Sequence, residues 1–134
     1  MEDKLYFYKA HCDSVTDGDT MELTVDLGFD TFIKCTVRLE GVDAPETRTK
    51  DLLQKEAGLK VREYVKRLIE GKDVYLHSKE FKCKYGRVLG DIYFGDSSLV
   101  TCLLQRAYVR RYATNGEWSR PELIYINEQL STLK

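Results

Sequence analysis

Polar and apolar positions along the chain follow two periods in turn. Residues 5–39 read as strands, and two stretches within them alternate with a period of two, the spacing of half-buried strands. In "MELTVDL", Met21, Leu23, Val25 and Leu27 share one face, and Glu22, Thr24 and Asp26 share the other. "FIKCTVRLE" repeats the pattern, setting Ile33, Cys35, Val37 and Leu39 inward and Lys34, Thr36, Arg38 and Glu40 outward. Gly28, with Asp30 close behind, marks the hairpin between the two strands. From about 51 to 70 the spacing becomes helical. Leu53, Ala57, Val61, Tyr64, Val65 and Leu68 form one stripe, and Gly71 is a natural stop. Strands are predicted near 73–80 and 87–94. "SSLVTCLLQRA" predicts a short helix capped by Asp96 or Ser97. A last helix near 121–133 has Pro121 in its first turn and buries Leu123, Ile126, Leu130 and Leu133.

Three strands, a helix, two strands and two helices make an α+β chain that is mainly β. The order fits a five-stranded OB-fold barrel with three helices, although a split α+β sheet shares the pattern. No repeat, low-complexity tract or linker interrupts it, so residues 1–134 are expected to form a single domain. With 43% hydrophobic and 32% charged residues, the composition suits a soluble domain with a true core. No apolar run approaches the roughly 20 residues needed to span a bilayer, so no membrane association is expected. The start, "MEDKLYFYKA", lacks an apolar signal region. A cytoplasmic location is expected, with secretion of a longer precursor as the alternative. Four cysteines (Cys12, Cys35, Cys83 and Cys102) form no CxxC pair and have no histidine nearby. That spacing argues against zinc. An even count permits disulfides, but the lack of an export signal favours reduced thiols, with Cys35 and Cys102 as small core residues. The net charge of −1 and pI of about 6.1 exclude bulk charge as a source of nucleic-acid affinity. Any such role needs a local positive cluster.

Three stretches carry candidate chemistry: "DGDT" (17–20), "RLEGVDAPE" (38–46) and "KYGR" (84–87). Each alone reads as a turn or a solvated charge. Pro45 fixes its own φ and turns Ala44 away from helical geometry, which makes Asp43–Glu46 a rigid corner. Antiparallel pairing of the second and third strands brings Asp19 alongside Asp43 at one end of the barrel. Converging carboxylates repel unless a cation offsets them. Oxygen donors, with a main-chain carbonyl at Ala44, suit calcium. Guanidinium groups grip phosphate in a two-pronged contact. Carboxylates, a cation and two arginines are parts for hydrolysing a phosphodiester.

The ordered set "DGDT", "RLEGVDAPE", Glu56–Ala57 in the helix and "KYGR" resembles the thermonuclease, or staphylococcal nuclease, family over about residues 14–112. The resemblance implies a Ca²⁺-dependent nuclease, an endo- or exonuclease acting on DNA and/or RNA and leaving 3′-phosphate ends. By position, Asp19 and Asp43 would hold Ca²⁺ through carboxylates and Ala44 through its carbonyl. Arg38 and Arg87 would grip the scissile phosphate, and Glu46 would activate or orient water. Tyr85, Leu89 and Tyr112 would line the nucleotide site. Ala44 replaces the threonine frequent in the family, and the segment after Glu46 is shorter than in the secreted enzyme. A monomer without an obligate protein partner is expected. The alternative is a non-catalytic OB-fold module that holds single-stranded nucleic acid or a protein.

Overall fold

The computed structural model describes residues 6–82, 87–111 and 117–132. In chain order the elements are β1 (Phe7–Asp17), β2 (Thr20–Gly28), β3 (Thr31–Leu39), β4 (Val42–Asp43), α1 (Leu52–Ile69), β5 (Asp73–Lys82), β6 (Arg87–Phe94), β7 (Ser97–Ser98), α2 (Leu99–Gln105), β8 (Arg110–Arg111) and α3 (Arg120–Gln129). The five long strands run β3-β2-β1-β5-β6, each antiparallel to its neighbour, and β3 pairs in parallel with β6. That last pairing closes the five-stranded barrel and leaves no open edge between its first and last strands. With three helices outside it, the architecture is an OB-fold.

The alternation of β2 and β3 explains the interior. Met21, Leu23, Val25, Val37 and Leu39 are all buried. Each contributes about 1.5–3 kcal/mol of apolar burial. Two inward expectations are corrected, because Leu27 and Ile33 are 39% and 44% exposed. The period is right, but the hairpin runs beyond the barrel rim and no layer covers that end. Its turn takes positive φ at Gly28, Phe29 and Asp30, and Phe29 projects fully into solvent.

The Asp51 side chain caps α1 by accepting from the Leu53 and Gln54 N–H groups, and Gly71 leaves the helix at φ 75°. Ala57, Val61, Val65 and Ile69 bury its inner stripe, while Leu53, Tyr64 and Leu68 pack partly against the core. Neither Asp96 nor Ser97 caps α2. Ser98 does, accepting from Thr101 N–H, because the two-residue β7 ends there and the helix starts at Leu99. Ser119 caps α3 one residue before Arg120, in a reciprocal box with Glu122. This helix ends at Gln129, earlier than expected, with buried Leu130 as its cap; Leu133 lies outside the described residues. Cys12, Cys35 and Cys102 are free thiols, Cys12 buried and the other two half-buried. No helix among the described residues is long and apolar enough to cross a membrane.

Candidate functional site

Both acidic turns rest on α1, and glycines let them approach. A Cβ on Gly18 would stand 2.6 Å from Val61 Cγ1 and 3.2 Å from Ala44 Cβ. One on Gly58 would stand 2.6 Å from the Pro45 carbonyl oxygen and 2.7 Å from that of Glu46. Backbone atoms cannot move aside as a side-chain tip can, so Gly58 sets how close the corner lies to the helix. Gln54, a turn earlier, accepts the Glu46 N–H at 3.1 Å. Thr47 Oγ1 donates to Asp17 Oδ1 at 2.7 Å and ties the corner to the β1–β2 turn.

Asp19 sits almost wholly inside this junction, its side chain 10% exposed. Its Oδ1 accepts from Thr20 Oγ1 and its Oδ2 from Ala44 N–H, both at 2.9 Å. The Arg38 side chain reaches across the same gap. Nη1 donates to the Val42 carbonyl at 2.8 Å and the Leu39 carbonyl at 3.3 Å, and lies 3.4 Å from Asp19 Oδ2. Nη2 donates to Asp43 Oδ1 at 3.3 Å. Burial and then the negative charge of Asp19 push the Asp43 carboxyl above its ordinary range, against the pull of Arg38 and Arg110. That is the electrostatic signature of two acids sharing a site.

A third support comes from behind. Asp43 pairs with Arg110 in the short β4–β8 ladder. The Arg110 guanidinium lies 4.7 Å from the Trp118 ring centroid, donates to the Glu117 carbonyl at 3.1 Å and approaches Glu122 Oε1 at 3.9 Å. Arg87 differs from the other two arginines. It stands exposed at the start of β6, with no hydrogen bond or ion pair among the described residues.

Asp19, Arg38, Asp43, Ala44, Glu46 and Arg87 all line one cleft of about 490 Å³. Six of the nine residues singled out from the sequence therefore meet. Leu89 is half-buried on β6 and in register with Arg38, but it is not among the described lining residues. Tyr85 and Tyr112 lie outside the described residues. Sequence reasoning did not assign Glu22, Thr36 or Arg48, which line the same cleft. The first two were findable, since the β2–β3 register places Thr36 opposite Glu22 on the outward face that carries Arg38. Arg110 carried no local signal, because only the β4–β8 pairing brings it to Asp43.

Among the described residues no three His, Cys, Asp or Glu side chains gather into a metal centre. The junction itself holds two carboxylates, Asp19 and Asp43, both facing Arg38. Oxygen donors of that kind suit a hard cation that completes its coordination with water better than a soft metal.

The family described as staphylococcal nuclease homologue matches residues 36–129. The chain belongs to that family. The match takes in Arg38, the Asp43–Glu46 corner and Arg87, and it begins after the turn that holds Asp19. No curated protein matches the chain in sequence. Family and barrel together make this a nuclease-family or nucleic-acid-binding OB-fold, within a family of hydrolases.

Proposed function

We propose that the protein is a Ca²⁺-dependent phosphodiesterase that hydrolyses DNA and/or RNA and leaves 3′-phosphate ends. One observation carries the reading: Asp19, Asp43, a separate glutamate and two arginines line one open cleft, where burial and the charge of Asp19 hold the Asp43 carboxyl above its ordinary range. Asp19 and Asp43 would hold the cation through carboxylate oxygens and Ala44 through its carbonyl. The bound cation would polarise a phosphoryl oxygen and offset charge that builds up during attack. Glu46 is exposed at the cleft and, among the described residues, is held through its backbone, so its carboxylate would be free to orient a water and take its proton. Arg87 would meet the phosphate from β6, the strand beside the one that carries Arg38. Arg38 contributes a fixed positive charge whose position is set by the Leu39 and Val42 carbonyls.

That same bracing of Arg38 favours the second reading, in which Arg38 only holds the barrel end together and the cleft binds nucleic acid without cutting it. Plasmid and oligonucleotide cleavage with and without chelator separates the two, alongside a calcium titration by calorimetry. The nuclease reading requires cleavage that chelator abolishes and calcium restores. Nucleic-acid binding without cleavage at saturating calcium would establish the module instead.

A further inference from the structure

Beyond the acids of the proline corner and the β1–β2 turn, the cleft holds one more charged side chain of the wrong sign for a phosphate site, Glu22. Neighbouring strands align three residues across it: Glu22 on β2, Thr36 on β3 and Arg87 on β6. All three line the cleft. Thr36 Oγ1 donates to Glu22 at 2.8 Å from one carboxylate oxygen and 2.9 Å from the other. A single hydroxyl proton shared by two oxygens aims the carboxylate and leaves most of its accepting capacity unused, since an ionised carboxylate has about four acceptor positions. No ion pair to Glu22 occurs among the described residues.

An acceptor-only group in this place repels phosphate and selects for whatever donates a hydrogen bond. Strands lie about 4.8 Å apart, so Glu22 is roughly 10 Å from Arg87 at the backbone, and the two long side chains narrow that gap. A phosphate held by Arg87 and Arg38 would leave the sugar attached to it within reach of Glu22. Ribose presents a 2′-hydroxyl, which is both donor and acceptor; deoxyribose presents only a methylene. Against the methylene, Glu22 would give up water and receive nothing in exchange.

We propose that Glu22, aimed by Thr36, accepts a hydrogen bond from the ribose 2′-hydroxyl beside the gripped phosphate and makes RNA the preferred substrate. The inference rests on the cleft being the nucleic-acid site, and it extends that reading to the kind of nucleic acid. A hydrogen bond to a charged group in a half-open cleft corresponds to a preference of roughly 10–100-fold.

The test uses the full chain and three oligonucleotides of one sequence: all-ribo, all-deoxy, and ribo with single 2′-deoxy substitutions flanking the cleaved bond. kcat/KM is measured with calcium, and binding is measured by anisotropy in chelator, for wild type, Glu22→Ala and the isosteric Glu22→Gln. The wild type should favour ribo over deoxy by 10–100-fold, and one flanking 2′-deoxy substitution should remove most of that. Glu22→Ala should bring the ratio near one, chiefly by lowering the ribo value. Glu22→Gln, which keeps size and a neutral acceptor, should retain a reduced preference. A wild type with no ribo preference in either measurement, or a preference unchanged in Glu22→Ala, overturns the assignment. Ribo preference in binding without any cleavage would overturn the nuclease reading and leave this one standing.

Discussion

Two adjoining walls of the cleft are built on opposite plans. On one side all but the Glu46 side chain is tied down: Asp19 is buried, Arg38 is bound to two carbonyls and faces two carboxylates, and the corner is seated on Gly58. On the other side Arg87 stands in solvent at the start of β6. Charge held before the substrate arrives costs no reorganisation during reaction, whereas a solvated side chain must be ordered when the substrate binds. In the nuclease reading proposed above, the braced wall would stabilise a transition state and the open wall would capture a phosphate. The braced wall also carries stability, which the open wall does not.

Lysine at each arginine position tests this contrast with the largest expected effect. Arg38→Lys and Arg87→Lys should both lower turnover by roughly 10³–10⁵, the scale of a lost arginine at a reacting phosphate. They should differ in stability. Arg38→Lys leaves two carbonyls and two carboxylates short of donors and should cost on the order of 2 kcal/mol. Arg87→Lys should stay within about 0.5 kcal/mol of wild type. Turnover at saturating calcium together with urea unfolding gives both numbers. Equal stability losses would show that the walls are not built differently. Wild-type cutting by both variants would remove the mechanism.

Glu46 belongs to the braced wall by its backbone and to solvent by its side chain, so its replacement should affect chemistry alone. Glu46→Gln should keep calcium and substrate affinity while turnover falls by roughly 10²–10⁴. A mutant that cuts as fast as wild type would make Glu46 part of a structural corner only.

The two acids of the braced wall should separate in metal-free protein. Asp19→Ala leaves the buried Ala44 N–H without its acceptor and should cost about 1–3 kcal/mol. Asp43 is 38% exposed, and its carboxyl is pushed above its ordinary range by burial and by Asp19. A raised acid contributes stability that is present at low pH and lost as pH rises through its folded value. Asp43→Asn should therefore be as stable as wild type or more so at neutral pH, and should lose less stability as pH rises. Melting curves in chelator between pH 4 and 8 give the comparison. Both variants should fail to bind calcium.

The sequence showed much of the braced wall and little of its supports. Strand alternation and a proline corner brought Asp19, Arg38, Asp43 and Glu46 together correctly, because each depends on local pattern and one antiparallel register. Gly58 within α1 carries no local signal, since its purpose is a contact with backbone twelve and thirteen residues earlier. Arg110 carries none either, since a two-residue ladder has no alternation to read. Leu27 and Ile33 were placed inward by a period that continues past the last layer able to cover them. Local rules reported the face of a strand, and they could not report where the barrel ends.

The smallest effect expected lies behind the braced wall, at the start of α3. Glu122 accepts the Ser119 N–H at 2.8 Å, with Arg110 3.9 Å away. The Ser119 backbone hydrogen bond is the main cause holding the Glu122 carboxyl below its ordinary range, with help from the Ser119 hydroxyl and Arg110. A depressed acid contributes stability that is present above its unfolded value and lost as pH falls through its folded value. Glu122→Gln keeps an acceptor for the cap and removes the charge. The side chain is 42% exposed, so screening leaves only a few tenths of a kcal/mol, roughly 1–2 °C in Tm for a chain of this size. The deficit should appear at pH 7 and vanish in acid, where the wild-type glutamate is protonated too. Turnover should not change, because Arg110 keeps its backbone pairing with Asp43 and its place over Trp118. A fall in turnover without a matching fall in Tm would mean that the brace reaches the reacting groups through this ion pair, and the division between supporting and reacting residues would have to move outward to α3.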